Sequence, residues 1–85
     1  MSSATSESDY LKIKQQALKD PKVAALLQKM NALPEGGDAY KAAAHEYSAA
    51  LFGKMRKLDP SQDEALTRKE GAYKRRIDAG KAILE

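Results

Sequence analysis

The chain has 85 residues, no cysteine, no tryptophan and a formal charge of +3. That size holds one domain, and the composition excludes a disulfide framework and a thiolate metal site. No run approaches the ~20 apolar residues that cross a bilayer or resembles a signal-peptide core, so the expectation is a soluble chain, cytoplasmic or exported with its signal sequence absent from this chain.

Residues 1–8 are rich in Ser and Thr and read as a disordered tail ahead of one helical-bundle domain over 9–85. A first helix is expected over about 8–19. At 100° per residue Tyr10, Leu11, Ile13, Ala17 and Leu18 fall to one side. Lys14 interrupts that side and is expected to snorkel, its stem along the apolar surface and its ammonium in water. Asp20-Pro21 then starts a new helix, because Asp caps freed N–H groups and Pro suits the first helical position. Proline also disfavours α geometry at Asp20, so the first two helices should form a bent arm. The second helix, about 21–33, puts Val23, Leu26, Leu27, Met30 and Leu33 on one narrow face, the cleanest amphipathic pattern in the chain.

Pro34-Glu35-Gly36-Gly37 is a loop, and Asp38 is placed to cap a third helix over about 38–58, roughly 30 Å long. Its main stripe is Tyr40, Ala43, Ala44, Tyr47, Ala50, Leu51, Met55 and Leu58. Ala42, Ala49 and Gly53 make a second, smooth strip with Phe52 beside it. A helix apolar on more than one side is central in a bundle or meets a partner. Asp59-Pro60 repeats the stop-and-start device, so the third and fourth helices should form an αα-hairpin. Ser61 and Glu64 stand at capping-box spacing. The fourth helix, about 60–84, lines up Leu66, Tyr73, Ile77, Gly80 and Leu84, with Glu64–Arg68 and Glu70–Lys74 as i,i+4 pairs. The fold class is therefore all-α, a small bundle of three to four helices. Its expected core is Leu18, Val23, Leu26, Leu27, Met30, Tyr40, Tyr47, Leu51, Met55, Leu66, Tyr73 and Ile77.

Chemistry-bearing residues are sparse. His45 is the only histidine; its i±3 and i±4 neighbours Lys41, Ala42, Ser48 and Ala49 supply no second zinc ligand, and no orienting group for a general base is in view. Asp59, Asp63 and Glu64 cluster where helix starts need acids. The Gly36-Gly37 loop precedes a helix, as phosphate cradles do, but Glu35 and Asp38 would repel an anion. No catalytic residue, metal site, cofactor or small-molecule substrate is indicated.

Through residue 53 six lysines balance six acids, and from residue 54 nine Lys and Arg face six acids. Lys54, Arg56, Lys57, Arg68, Lys69, Lys74, Arg75 and Arg76 are thus candidate anion or nucleic-acid contacts. The competing reading is a solvated face, partly matched by Glu64, Glu70 and Asp78, with the cations closing the third helix complementing its dipole. Ala42, Ala49, Phe52 and Gly53 are the candidate partner-helix interface.

The run from Tyr47 to Ser61 resembles a pattern in small helical bacterial proteins of unknown function. It covers under a quarter of the chain and implies no activity. Some such proteins are exported, which would make this chain a mature form. The stretch 20–28 resembles the helix start of co-chaperone modules that bind apolar peptides, a start that many helices share. The leading expectation is a non-enzymatic module that binds a protein partner or a copy of itself; the alternative is a nucleic-acid-binding module using the basic residues of 54–81.

Overall fold

The computed structural model describes residues 7–80 and is an all-α bundle: α1 (Glu7–Leu18), α2 (Pro21–Asn31), α3 (Asp38–Leu58), a 3₁₀ turn (Pro60–Gln62) and α4 (Asp63–Asp78). The tail expected over 1–8 lies outside the described residues except for Glu7 and Ser8, which belong to the first turn of α1.

Local chemistry accounts for the boundaries. The Asp20 side chain accepts from the Lys22 N–H at 2.9 Å and the Val23 N–H at 3.4 Å, and Pro21 opens α2. Asp38 departs from its expected role: Gly37 occupies the cap position in extended geometry, with no side-chain cap bond, and Asp38 is the first helical residue, where its charge still suits the dipole. The Ser61–Glu64 box is replaced by a tighter local arrangement. The Ser61 hydroxyl donates to Asp59 Oδ1 at 2.6 Å and the Ser61 N–H donates to the same oxygen at 3.2 Å. With that hydroxyl engaged, α4 starts only after a 3₁₀ turn, with Gln62 at its cap. α4 also ends earlier than expected, at Asp78; Gly80 adopts φ 78°, its N–H donating to the Ile77 carbonyl at 3.0 Å. A left-handed glycine after the last turn terminates a helix. Lys81 and Leu84 lie outside the described residues.

α3 is the hub. α1, α2, α4 and the 3₁₀ turn all pack on it, α1 and α2 meet more sparingly, and α4 folds back along it as a hairpin. Tyr47, Leu51, Phe52 and Met55 are fully buried along its inner sides, joined by Leu66 and Ile77 from α4 and by Val23 and Met30 from α2. Each such large side chain contributes roughly 1.5–3 kcal/mol of hydrophobic stabilisation. Ile13, Ala17, Tyr40, Ala43 and Ala44 complete the core, while Leu18, Leu26, Leu27 and Tyr73 are partly buried against it. Leu11 and Leu58 depart from the expected stripes: both are exposed, at 50% and 40%, and Leu11 lies to the side of the Tyr10, Ile13, Lys14 and Ala17 stripe by which α1 packs.

Charged groups tie the spokes to the hub. Arg56 donates to Asp63 at 2.9 Å, Thr67 at 3.1 Å and Glu70 at 2.7 Å, clamping α3 to α4 near the hairpin corner. Glu70, expected to pair with Lys74, is thus turned toward α3. His45 Nε2 lies 3.0 Å from Asp78 Oδ1 at the other end of the hairpin. Lys29 reaches Glu46 at 3.3 Å and Lys54 reaches Asp20 at 3.5 Å, joining α2 and its cap to α3. Lys14 does not snorkel. It is 6% exposed and donates to the Tyr73 hydroxyl at 3.0 Å. Its ammonium lies 5.9 Å and 5.7 Å from the Tyr10 and Tyr73 ring centres, distances at which a cation is attracted to a ring face.

Candidate functional site

The Cα envelope measures 42 × 26 × 16 Å. Packed helix axes lie ~8–10 Å apart, so the shortest dimension holds two helix layers and cannot surround α3. One side of the hub is left bare. Along it run Ala42, Glu46, Ala49, Gly53 and Lys57, at spacings of three and four residues that keep them on one helical face; all are exposed except Gly53, which is half-buried. Nothing lies within 4 Å of the place where a Cβ on Gly53 would sit.

The lower half of this strip deepens into an open groove of about 300 Å³ between α3 and the first turn of α2. Val23, Ala49, Ala50 and Gly53 form its floor, and Asp20, Lys22, Lys54 and Lys57 line it. Short side chains at 49, 50 and 53 create the depression, and the Asp20-Pro21 corner supplies its second wall. The Lys22 backbone N–H, above all, holds the Asp20 carboxyl below its ordinary value, with further lowering from the Val23 N–H and from Lys54. Asp20 is therefore ionised at neutral pH and committed to its cap and to Lys54. Lys22 and Lys57, both exposed, have no ion-pair partner among the described residues. The groove is net positive.

Of the four interface candidates, Ala42, Ala49 and Gly53 lie together on the bare side. Phe52 does not. It is fully buried and meets Tyr73 edge-on at 5.0 Å between ring centres. Phe52 sits about 100° around the helix from its neighbour Gly53, which turns it under α4.

The eight candidate cations are not gathered on one face. Residues two apart on a helix point roughly 200° from each other, so Lys54 opens toward α2 while Arg56 is drawn under α4 by its three partners. Burial-offsetting bonds to Glu70 raise the Arg56 pKa. Lys57 belongs to the groove, and Lys69 lies 4.3 Å above the Tyr10 ring. Arg68 and Arg75 are exposed two turns apart on the outside of α4, with Lys74 also exposed and Arg76 half-buried. His45, Asp59 and Asp63 each have the structural partner described above. Among the described residues no helix is long and apolar enough to cross a membrane, and no group of three His, Cys, Asp or Glu side chains is placed to hold a metal ion.

Sequence reasoning missed the α2 side of the groove, Asp20, Lys22 and Val23. The available signal was the Asp20-Pro21 corner, whose wall abuts whatever small residues lie opposite. Comparison with protein-family models, curated proteins and solved structures returned no match.

Proposed function

We propose that this protein is a non-enzymatic helical interaction module whose working surface is the bare side of α3 and the groove beside it. The observation that carries the reading is Gly53. Glycine inside a helix costs about 1 kcal/mol relative to alanine, and no atom of the chain occupies the space a methyl group would need. Packing within the monomer therefore gives no reason for it. Close approach of another backbone does, since small residues four apart, here Ala49 and Gly53, let a second helix lie near the first. A face needed only for solubility is better served by long charged side chains.

The alternative, nucleic-acid binding, has less support. Arg56 is engaged by Asp63, Thr67 and Glu70, Lys54 is paired with Asp20 at the groove, and Arg68 and Arg75 lie on the outside of α4.

The test is site-specific photo-crosslinking in the native host with the reactive residue at position 49, compared with position 12 on the exposed side of α1. Adducts specific to position 49 and abolished by Gly53→Leu are expected. Equal adducts at both positions, or none at 49, would refute the reading.

A further inference from the structure

We infer that the groove between α2 and α3 receives carboxylate side chains from a helix of a partner protein, a deepening that rests on the interaction reading above. At about 300 Å³ and open to solvent, the groove sits at the bottom of the ~300–1,000 Å³ range of small-molecule pockets and lacks their enclosure. It has room for one or two side chains of a segment whose backbone runs over Ala42, Ala49 and Gly53. Its floor is apolar and its rim carries Lys22, Lys54 and Lys57 against Asp20. Because Asp20 is held by its cap bonds and by Lys54 at 3.5 Å, two lysines flank an apolar floor with no acid left to face them. Electrostatic complementarity selects an acidic occupant.

The same strip argues against the other occupants. A second copy of this chain would offer from its own bare side Glu46, already bridged to Lys29 at 3.3 Å, and Asp38, four residues before Ala42 in the first turn of α3, where its charge is matched by the helix dipole. It would also bring its own Lys57, so like charges would meet. A nucleic-acid backbone needs cations along its length, whereas Glu46, two turns above Gly53, would repel the phosphates that continued past the groove. A helix with carboxylates at one end of a small-residue face satisfies both ends of the strip.

The experiment is fluorescence anisotropy at low salt with three labelled alanine-rich helical peptides of one length. They carry an i,i+4 pair of Glu, Gln or Lys, and a DNA duplex is run beside them. The proteins are the parent chain, Lys22→Gln/Lys57→Gln, the charge-matched Arg68→Gln/Arg75→Gln, and Gly53→Leu. The parent should bind the Glu peptide in preference to the Gln and Lys peptides. Exposed ion pairs are each worth up to ~1 kcal/mol, so the groove double variant should weaken binding about five- to tenfold, and the α4 double variant less than twofold. Gly53→Leu should abolish binding while far-UV circular dichroism stays unchanged. Equal losses in the two double variants, or equal binding of the Glu and Gln peptides, would overturn the inference, as only the net field would then be felt. Tighter binding of the duplex, governed by Arg68 and Arg75, would overturn it in favour of nucleic acid. A dimer in sedimentation that Gly53→Leu dissolves would overturn it in favour of a second copy. Should the peptides fail while crosslinks from position 49 persist and still require Gly53, the acidic occupant falls and the interaction module stands; should both fail, the module falls too.

Discussion

Gly53→Ala should make the protein more stable, and the structure fixes the sign. The residue lies inside α3 with no positive φ, and a Cβ there meets nothing within 4 Å. The substitution therefore adds helix propensity and removes unfolded-state freedom without displacing any neighbour, a gain of about 1 kcal/mol. For a domain of this length that raises the midpoint of thermal unfolding by ~4–8 °C. Gly36→Ala is the opposed control. Gly36 has φ 81°, and a Cβ would lie 3.3 Å from the Gly80 carbonyl oxygen, a backbone atom that cannot swing aside. Left-handed geometry alone costs an L-residue roughly 1–2 kcal/mol, so the midpoint should fall by a similar or larger margin. Thermal melts followed at 222 nm on both variants decide the matter. A lower midpoint for Gly53→Ala would mean that the α3 strip is packed against something in the free protein, and the bare face on which the functional reading depends would not exist.

Further expectations concern the bundle itself. Arg56→Ala removes the bonds to Asp63, Thr67 and Glu70 and strands Glu70, whose side chain is 14% exposed; a loss of about 1–3 kcal/mol is expected. A double-mutant cycle with Glu70→Ala should return a coupling above ~0.5 kcal/mol, and a null coupling would show that the clamp is not formed in solution. Burial, with Tyr73 nearby, pushes the Tyr47 hydroxyl from its ordinary 10.0 up to about 12. The native state then holds a proton that the unfolded chain releases, so this contribution is complete below pH 10 and is lost as pH rises from about 10 to about 12. The loss amounts to about 2–3 kcal/mol. Denaturant midpoints across that window should fall more steeply in the parent than in Tyr47→Phe. At the acid end the Asp20 pKa is lowered, so its stabilising effect is present above the ordinary 3.8 and fades as pH drops through the lower folded value. Asp20→Ala should lower the melting point at neutral pH and flatten that acid limb, which pH-dependent melts would reveal.

The parts of the fold legible in the sequence were those written in local chemistry. Asp20-Pro21 and Asp59-Pro60 announced two boundaries because a capping acid and a proline act within three residues of themselves, and the length of α3 followed from an unbroken periodic stripe. What was not legible depended on which neighbour meets which face. Periodicity gives Lys14 an inward direction, but whether its ammonium turns out to water or in to a hydroxyl depends on Tyr73, 59 residues away. Helical spacing puts Phe52 beside the smooth strip, and only the docking of α4, with Tyr73 against its ring, buries it. Glu70 had a sequence-local partner in Lys74, yet Arg56 offers a guanidinium that other carboxylate and hydroxyl groups already orient. The candidate site divides in the same way. Ala42, Ala49 and Gly53 could be read from helical spacing, whereas the second wall of the groove comes from a separate helix and becomes visible only once α2 is docked.

The hub arrangement also bears on how quickly the chain finds its structure. α3 packs against its sequence neighbours α2 and α4 across connections of residues 32–37 and 59–62, so little loop entropy is lost before the main apolar contacts form. Domains dominated by such short-range contacts fold in microseconds to milliseconds, and this chain should relax in that range. α1 is the exception. Its docking on α3 skips over α2, and its link to α4 runs through Lys14 and the Tyr10 and Tyr73 rings, making it the helix whose amides should exchange with solvent first.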